Sequence, residues 1–93
     1  MDVEFDGEVW YWRGPAPFHF VSVPEPHLSE LTDIAGQVSY GWGCIRATCR
    51  TGRTDWTTSL IPRNGGYAVP VKTAVRRAEE IELGDVITIR LRI

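Results

Sequence analysis

Two segments of the chain follow one plan, and that recurrence limits the fold more than any other feature. SVPEPHLSELTDIAGQV (Ser22–Val38) and AVPVKTAVRRAEEIELGDV (Ala68–Val86) each run from an extended stretch through Val-Pro into an amphipathic helix, a glycine and a further strand. The two Val-Pro pairs begin at Val23 and Val69, about half of the 93 residues apart. A tryptophan-bearing strand precedes each, with Trp10 in one and Trp56 in the other. The expectation is one domain, residues 1–93, with an internal pseudo-repeat of about 1–48 and 49–93. Two strand–strand–helix–strand halves related by a pseudo-two-fold would close into a small barrel with a helix capping each end, which removes exposed strand edges. The fold class expected is mainly β with two short α-helices.

The chain ends are strands of matching parity. DVEFDGE sets Asp2, Glu4, Asp6 and Glu8 against Val3 and Phe5, while DVITIRLRI sets Ile87, Ile89, Leu91 and Ile93 against Thr88, Arg90 and Arg92. Such alternation marks half-buried strands. If the two are neighbours, acids face arginines, each pair contributing roughly 0.2–1 kcal/mol, and Arg46 and Arg50 extend the same outer ladder. The pairing also accounts for a charge split: residues 1–45 carry seven acids and one base (−6), residues 46–93 five acids and nine bases (+4), together the net −2.

Between the ends, Phe18–Val23 reads as a strand buried on both faces. Gln37–Arg50 reads as a long extended stretch bent at Gly41 and Gly43. Thr51-Gly52 is a turn before a strand Asp55–Ile61, and Asn64-Gly65 a tight hairpin turn before Tyr67–Val69. One helix is expected over Pro26–Ala35, with Leu28, Leu31, Ile34 and Ala35 inward and Gly36 as its stop. A second is expected over Lys72–Ile81, with Ala74, Val75, Ala78 and Ile81 inward and Arg76, Arg77, Glu79 and Glu80 outward.

A hydrophobic fraction of 43% and a charged fraction of 24% are those of an ordinary soluble globule. No apolar run approaches the roughly 18 residues of a membrane span, and Met-Asp-Val-Glu-Phe is no signal peptide, so the compartment expected is the cytoplasm. Cys44 and Cys49 point to opposite faces of one strand, against a local disulfide. His19 and His27 are isolated, so no metal site is expected, and no cofactor either.

WYWRGPAPFHFVSVP, YGWG, DWTTSLIP and VPVKTAVRRAE…LGD together resemble, nearly end to end, the small bacterial family numbered 1905 among the domains of unknown function. The resemblance implies a closed double-split β-barrel capped by helices, distantly like the swapped-hairpin barrels of AbrB and MazE. Gly84 and Asp85 in IELGDVITI would be its Gly-Asp box. In those relatives a homodimer supplies the two halves that this chain carries itself. The chain departs from the family pattern at Arg46, where proline is common, and at SLIP, where SLFP is usual. Some family members adjoin a domain linked to bacteriocin protection.

An enzyme needs a nucleophile, base and orienter together. Ser59 lacks a Gly-x-Ser-x-Gly elbow, and His19 has no acid at a suggestive spacing, so catalysis is the least favoured reading and no catalytic residue is assigned. Asp85 is expected to accept backbone hydrogen bonds in its turn. The preferred reading is a binding module for a small anionic ligand or a protein partner. Aromatics occupy both strand faces in VWYWRGPAPFHFV, so some must be exposed, and exposed apolar clusters mark binding sites. The candidate residues are Trp10, Trp12, Arg13, His19, Tyr40, Trp42, Ser59, Lys72 and Arg76. The alternative is an AbrB-like nucleic-acid-binding regulator using Arg46, Arg50, Arg53 and Arg63. The chain is expected to be a monomer or weak homodimer with no membrane partner.

Overall fold

The alternating charges at the two termini pair as expected. Strand β1 (Asp2–Glu8) and the last strand, Val86–Arg92, form an antiparallel ladder with Asp2 opposite Arg92, Glu4 opposite Arg90 and Asp6 opposite Thr88. The computed structural model describes residues 1–15 and 18–93; Ala16 and Pro17, half of the expected Gly-Pro-Ala-Pro bend, lie outside them. The remaining elements are β2 (Trp10–Trp12), β3 (Phe18–Ser22), α1 (His27–Val38), β4 (Ser39–Tyr40), β5 (Cys44–Thr51), β6 (Thr54–Arg63), β7 (Gly66–Pro70) and α2 (Thr73–Ala78), with Val86–Arg92 as β8. No helix among the described residues is long and apolar enough to cross a membrane.

The sheet is antiparallel in the order β1-β8-β5-β6-β7-β3-β2, with β4 on β5. Strand β6 turns the corner: Thr54–Leu60 pair with β5, and Ile61–Arg63 pair with β7. The result is a curled, open sheet rather than the closed barrel expected. Its two ends, β1 and β2, are consecutive stretches separated by Val9, and no ladder joins them. Val9 is buried, with its N–H donating to Asp85 O (2.8 Å) and its carbonyl accepting from Gly84 N (2.9 Å). The Asp85 carboxylate accepts the Glu82 N–H at 2.8 Å, the turn role read from the sequence.

The concave side holds the core. Val9, Val21, Leu31, Ile45, Leu60, Val69, Val71, Ile89 and Leu91 are all essentially inaccessible. At about 1.5–3 kcal/mol per fully buried aliphatic side chain, this cluster is the main favourable term for so small a chain. Helix α1 supplies Leu31, with Leu28, Ile34 and Ala35 packed at its margin. Leu28 lies against Gly66 at the β6–β7 turn. Helix α2 sits toward the other end of β6: Glu79, just after it, accepts hydrogen bonds from Thr54 Oγ1 (2.6 Å) and Arg53 N (3.3 Å).

Several local expectations are corrected. Helix α1 runs through Gly36 to Val38 before Ser39 becomes extended, since one glycine costs a helix only about 1 kcal/mol and need not stop it. The stretch after it is a hairpin, not a bent strand: β4 folds back on β5 through Gly41 and Gly43, both at positive φ (+54° and +87°). Helix α2 spans six residues, and only Val75 of it, with Ile81 beyond, is buried. Ala74 and Ala78 face solvent, while Arg76 and Glu79, expected outside, are half-buried.

Candidate functional site

Strand alternation places Arg46, Thr48 and Arg50 of β5 on the convex face, while Ile45, Ala47 and Cys49 enter the core. In register across β6 stand Ser59 opposite Arg46, Thr57 opposite Thr48 and Asp55 opposite Arg50. The β4–β5 hairpin brings Tyr40 over this face, where its hydroxyl hydrogen-bonds Ser59 Oγ. Lys72, following β7, reaches the same spot. Arg46, Thr57, Thr58, Ser59, Ile61 and Lys72 line a cleft of about 370 Å³. Neither Arg46 nor Lys72 makes an ion pair among the described residues, and no carboxylate or imidazole lines this cleft. Chemically it offers two cations and a set of hydroxyl donors to an anionic group.

The other candidate residues gather elsewhere. Trp10 and Trp12 lie on one face of the β2–β3 hairpin, half-buried, and the Arg63 guanidinium stacks on both, 5.6 and 5.1 Å from the ring centroids. Trp10 also donates its indole N–H to Ser22 Oγ (3.0 Å) and packs on Phe20. On the opposite face, His19 meets the Tyr11 ring edge-on at 4.8 Å, and with Phe18, Val71, Thr73 and Arg76 they line a cavity of about 190 Å³. Partial burial, then the Arg76 guanidinium, hold the His19 imidazole below its usual pKa. Arg76 donates to Thr73 Oγ1 (3.2 Å), and its Nε is buried without a hydrogen-bond partner. Arg13 is exposed just past β2. Trp42 is 95% exposed in the β4–β5 turn.

The structure therefore unites Tyr40, Ser59 and Lys72, separately unites Trp10 with Trp12 and His19 with Arg76, and leaves Arg13 and Trp42 outside all three. It does not assemble the four arginines named for nucleic acid. Arg53 precedes β6 and Arg63 ends it, at opposite ends of the strand. Arg46 and Arg50 share the convex face, Arg50 paired with Asp55 at 3.2 Å, while Arg63 stacks on the indoles.

The family model for the domain of unknown function DUF1905 matches residues 5–91. The chain belongs to the DUF1905 family. No curated protein matches it.

Sequence reasoning missed three members of the cleft in this DUF1905 domain: Thr57, Thr58 and Ile61. It took Arg46 for a different surface. Parity was the available signal, since Thr57, Ser59 and Ile61 alternate in DWTTSLIP as Arg46 does in CIRATCR. What it lacked was the β5–β6 register that sets those residues side by side. The two cysteines of the DUF1905 domain are unbonded, Cys49 in the core with its thiol pKa pushed up to about 12 by burial, and Cys44 half-buried opposite Tyr40.

Proposed function

We propose that the DUF1905 domain is a non-catalytic binding module whose convex-face cleft takes an anionic group. One observation carries this reading: Arg46 and Lys72 share a cleft with Thr57, Thr58 and Ser59 and with no carboxylate. Two neighbouring cations without partners repel each other and are relieved by a bound anion, while the hydroxyls fix its oxygens. Tyr40, bonded to Ser59, orients that hydroxyl. The curled sheet is read as a double-split barrel of two halves, about 1–48 and 49–93. In support, β1 and β2 form one bent path at Val9, much as β6 pairs β5 at one end and β7 at the other. The cytoplasm is the proposed compartment.

Inorganic pyrophosphate at low ionic strength is the test. A ligand of the native state at a hundred times its Kd stabilises by about 2.7 kcal/mol, a rise in Tm of roughly 10–20 °C for a domain of this size. Arg46→Ala and Lys72→Ala should each remove most of that rise. A melting curve indifferent to pyrophosphate refutes the reading.

A further inference from the structure

The anion cleft is one end of a longer feature. It shares Arg46 and Thr57 with a depression that adds Thr48 and Arg92, and that depression shares Thr48 and Arg92 with a third, which adds Arg50, Asp55 and Arg90. The three join into one trough across β6, β5 and β8. Lys72, Arg46, Arg92, Arg50 and Arg90 line it with a single side-chain carboxylate, Asp55, which pairs with Arg50, while Arg90 and Arg92 pair with Asp2 at its border.

Arg50 lies directly opposite Arg90, each held by a carboxylate on its outer side, Asp55 and Asp2, whereas Arg46 and Lys72 make no ion pair among the described residues. From Arg46 to Arg50 the strand covers about 13 Å at 3.3 Å per residue, and Lys72 extends the row. A small anion fills only one end of such a row, whereas a chain of repeating negative charges fills all of it. At the Lys72 end, Tyr40 reaches Ser59, and two residues on is Trp42, 95% exposed. An exposed indole in the hairpin that carries Tyr40 offers a stacking surface to a nucleobase, a group that an acidic peptide of aspartates and glutamates lacks. Beyond β8, the acids of β1 border the trough and would repel phosphates placed over them.

We propose that this trough binds single-stranded nucleic acid, with the backbone along Lys72, Arg46, Arg92 and Arg50 and a base stacked on Trp42; the proposal rests on the anion-binding reading of the cleft. The experiment is fluorescence anisotropy of fluorescein-labelled dT12 with the full chain at low salt. The expected result is binding whose logarithm falls with log salt at a slope of about −3, the value for four neutralised phosphates. Trp42→Ala should weaken it at least about 5-fold and Trp42→Phe should restore most of it, with the melting temperature of both unchanged. Arg92→Glu should weaken dT12 binding while leaving the pyrophosphate response of the cleft intact. Absence of dT12 binding, indifference to Trp42→Ala, or equal displacement by oligo-glutamate of the same length overturns the proposal. If pyrophosphate still raises Tm in that event, the anion-binding reading stands alone; if that response is absent too, both fall.

Discussion

Trp56 and Trp42 should behave as opposites. Trp56 is 7% exposed, packed in the core with its indole N–H donating to Pro70 O at 3.0 Å, whereas Trp42 is 95% exposed. Trp56→Phe deletes the donor and leaves a buried carbonyl without it, a cost of about 1–3 kcal/mol. The lost indole atoms leave a void on the order of 40 Å³, which at about 24 cal/mol per Å³ adds roughly 1 kcal/mol. A total near 3 kcal/mol lowers Tm by about 12–24 °C in a chain of this length. Trp42→Ala should shift stability by no more than about 0.5 kcal/mol, as for other exposed substitutions. Urea unfolding with linear extrapolation, checked by thermal melts, measures both. The reasoning is refuted if Trp56→Phe is as stable as the parent, or if Trp42→Ala costs more than about 1 kcal/mol. Because Pro70 leads through Val71 to Lys72, the same Trp56 variant should also blunt the pyrophosphate response.

Two further outcomes follow from the packing and the titrating groups. At Gly7 an added Cβ would stand 2.3 Å from Val21 Cγ1, so Gly7→Ala should cost about 1–3 kcal/mol as overpacking, and a double-mutant cycle with Val21→Ala should show strong coupling in the unfolding free energies. His19 is held below its usual pKa, first by partial burial and then by Arg76. The unfolded chain therefore binds a proton that the folded chain does not, so stability should fall as pH drops below about 6.5 and level off beneath the folded-state pKa. His19→Gln should flatten that part of the pH–stability curve.

The charged ladder was legible because alternation states which face each residue takes, and opposite charges at the two termini state which strands are neighbours. Asp2, Glu4, Arg90 and Arg92 needed nothing further. Asn64-Gly65 was equally direct, with both residues at positive φ (49° and 78°). The curl of the sheet was not legible, since it depends on β6 exchanging partners at Leu60–Ile61, a property of two registers rather than of any local pattern. The extent of α1 was misread at Gly36, because a single glycine costs a helix only about 1 kcal/mol and stops it only where the backbone also turns left-handed, which Gly36 does not. Ala74 and Ala78 misled for a related reason: alanine fits either side of a short helix, so periodicity carried by alanines says little about which side is inward. The candidate site fared similarly. Tyr40, Ser59 and Lys72 were named from residue type, yet only the β4–β5 hairpin and the β5–β6 register bring them together.

The registers of β8 with β1 and with β5 show how the charge split is distributed over the sheet. On one side of β8 the arginines meet β1, where Asp2 bonds Arg90 (3.3 Å) and Arg92 (3.5 Å) and Thr88 donates to Asp6. Hydrogen bonding from Arg90, with the nearby guanidinium charges, holds the Asp2 carboxyl below its usual pKa, so it stays ionised at any neutral pH and keeps both arginines drawn to one place. On the other side of β8 the partner strand offers Arg50 and Thr48, not acids. Asp2 of β1 takes Arg90 and Arg92 on one flank and Asp55 of β6 takes Arg50 on the other, so the cation that β5 adds without a carboxylate among the described residues is Arg46. Arg46, with Lys72 beside it and the hydroxyls of Thr57 and Ser59 in register, is therefore the part of the convex face on which the proposed anion site rests.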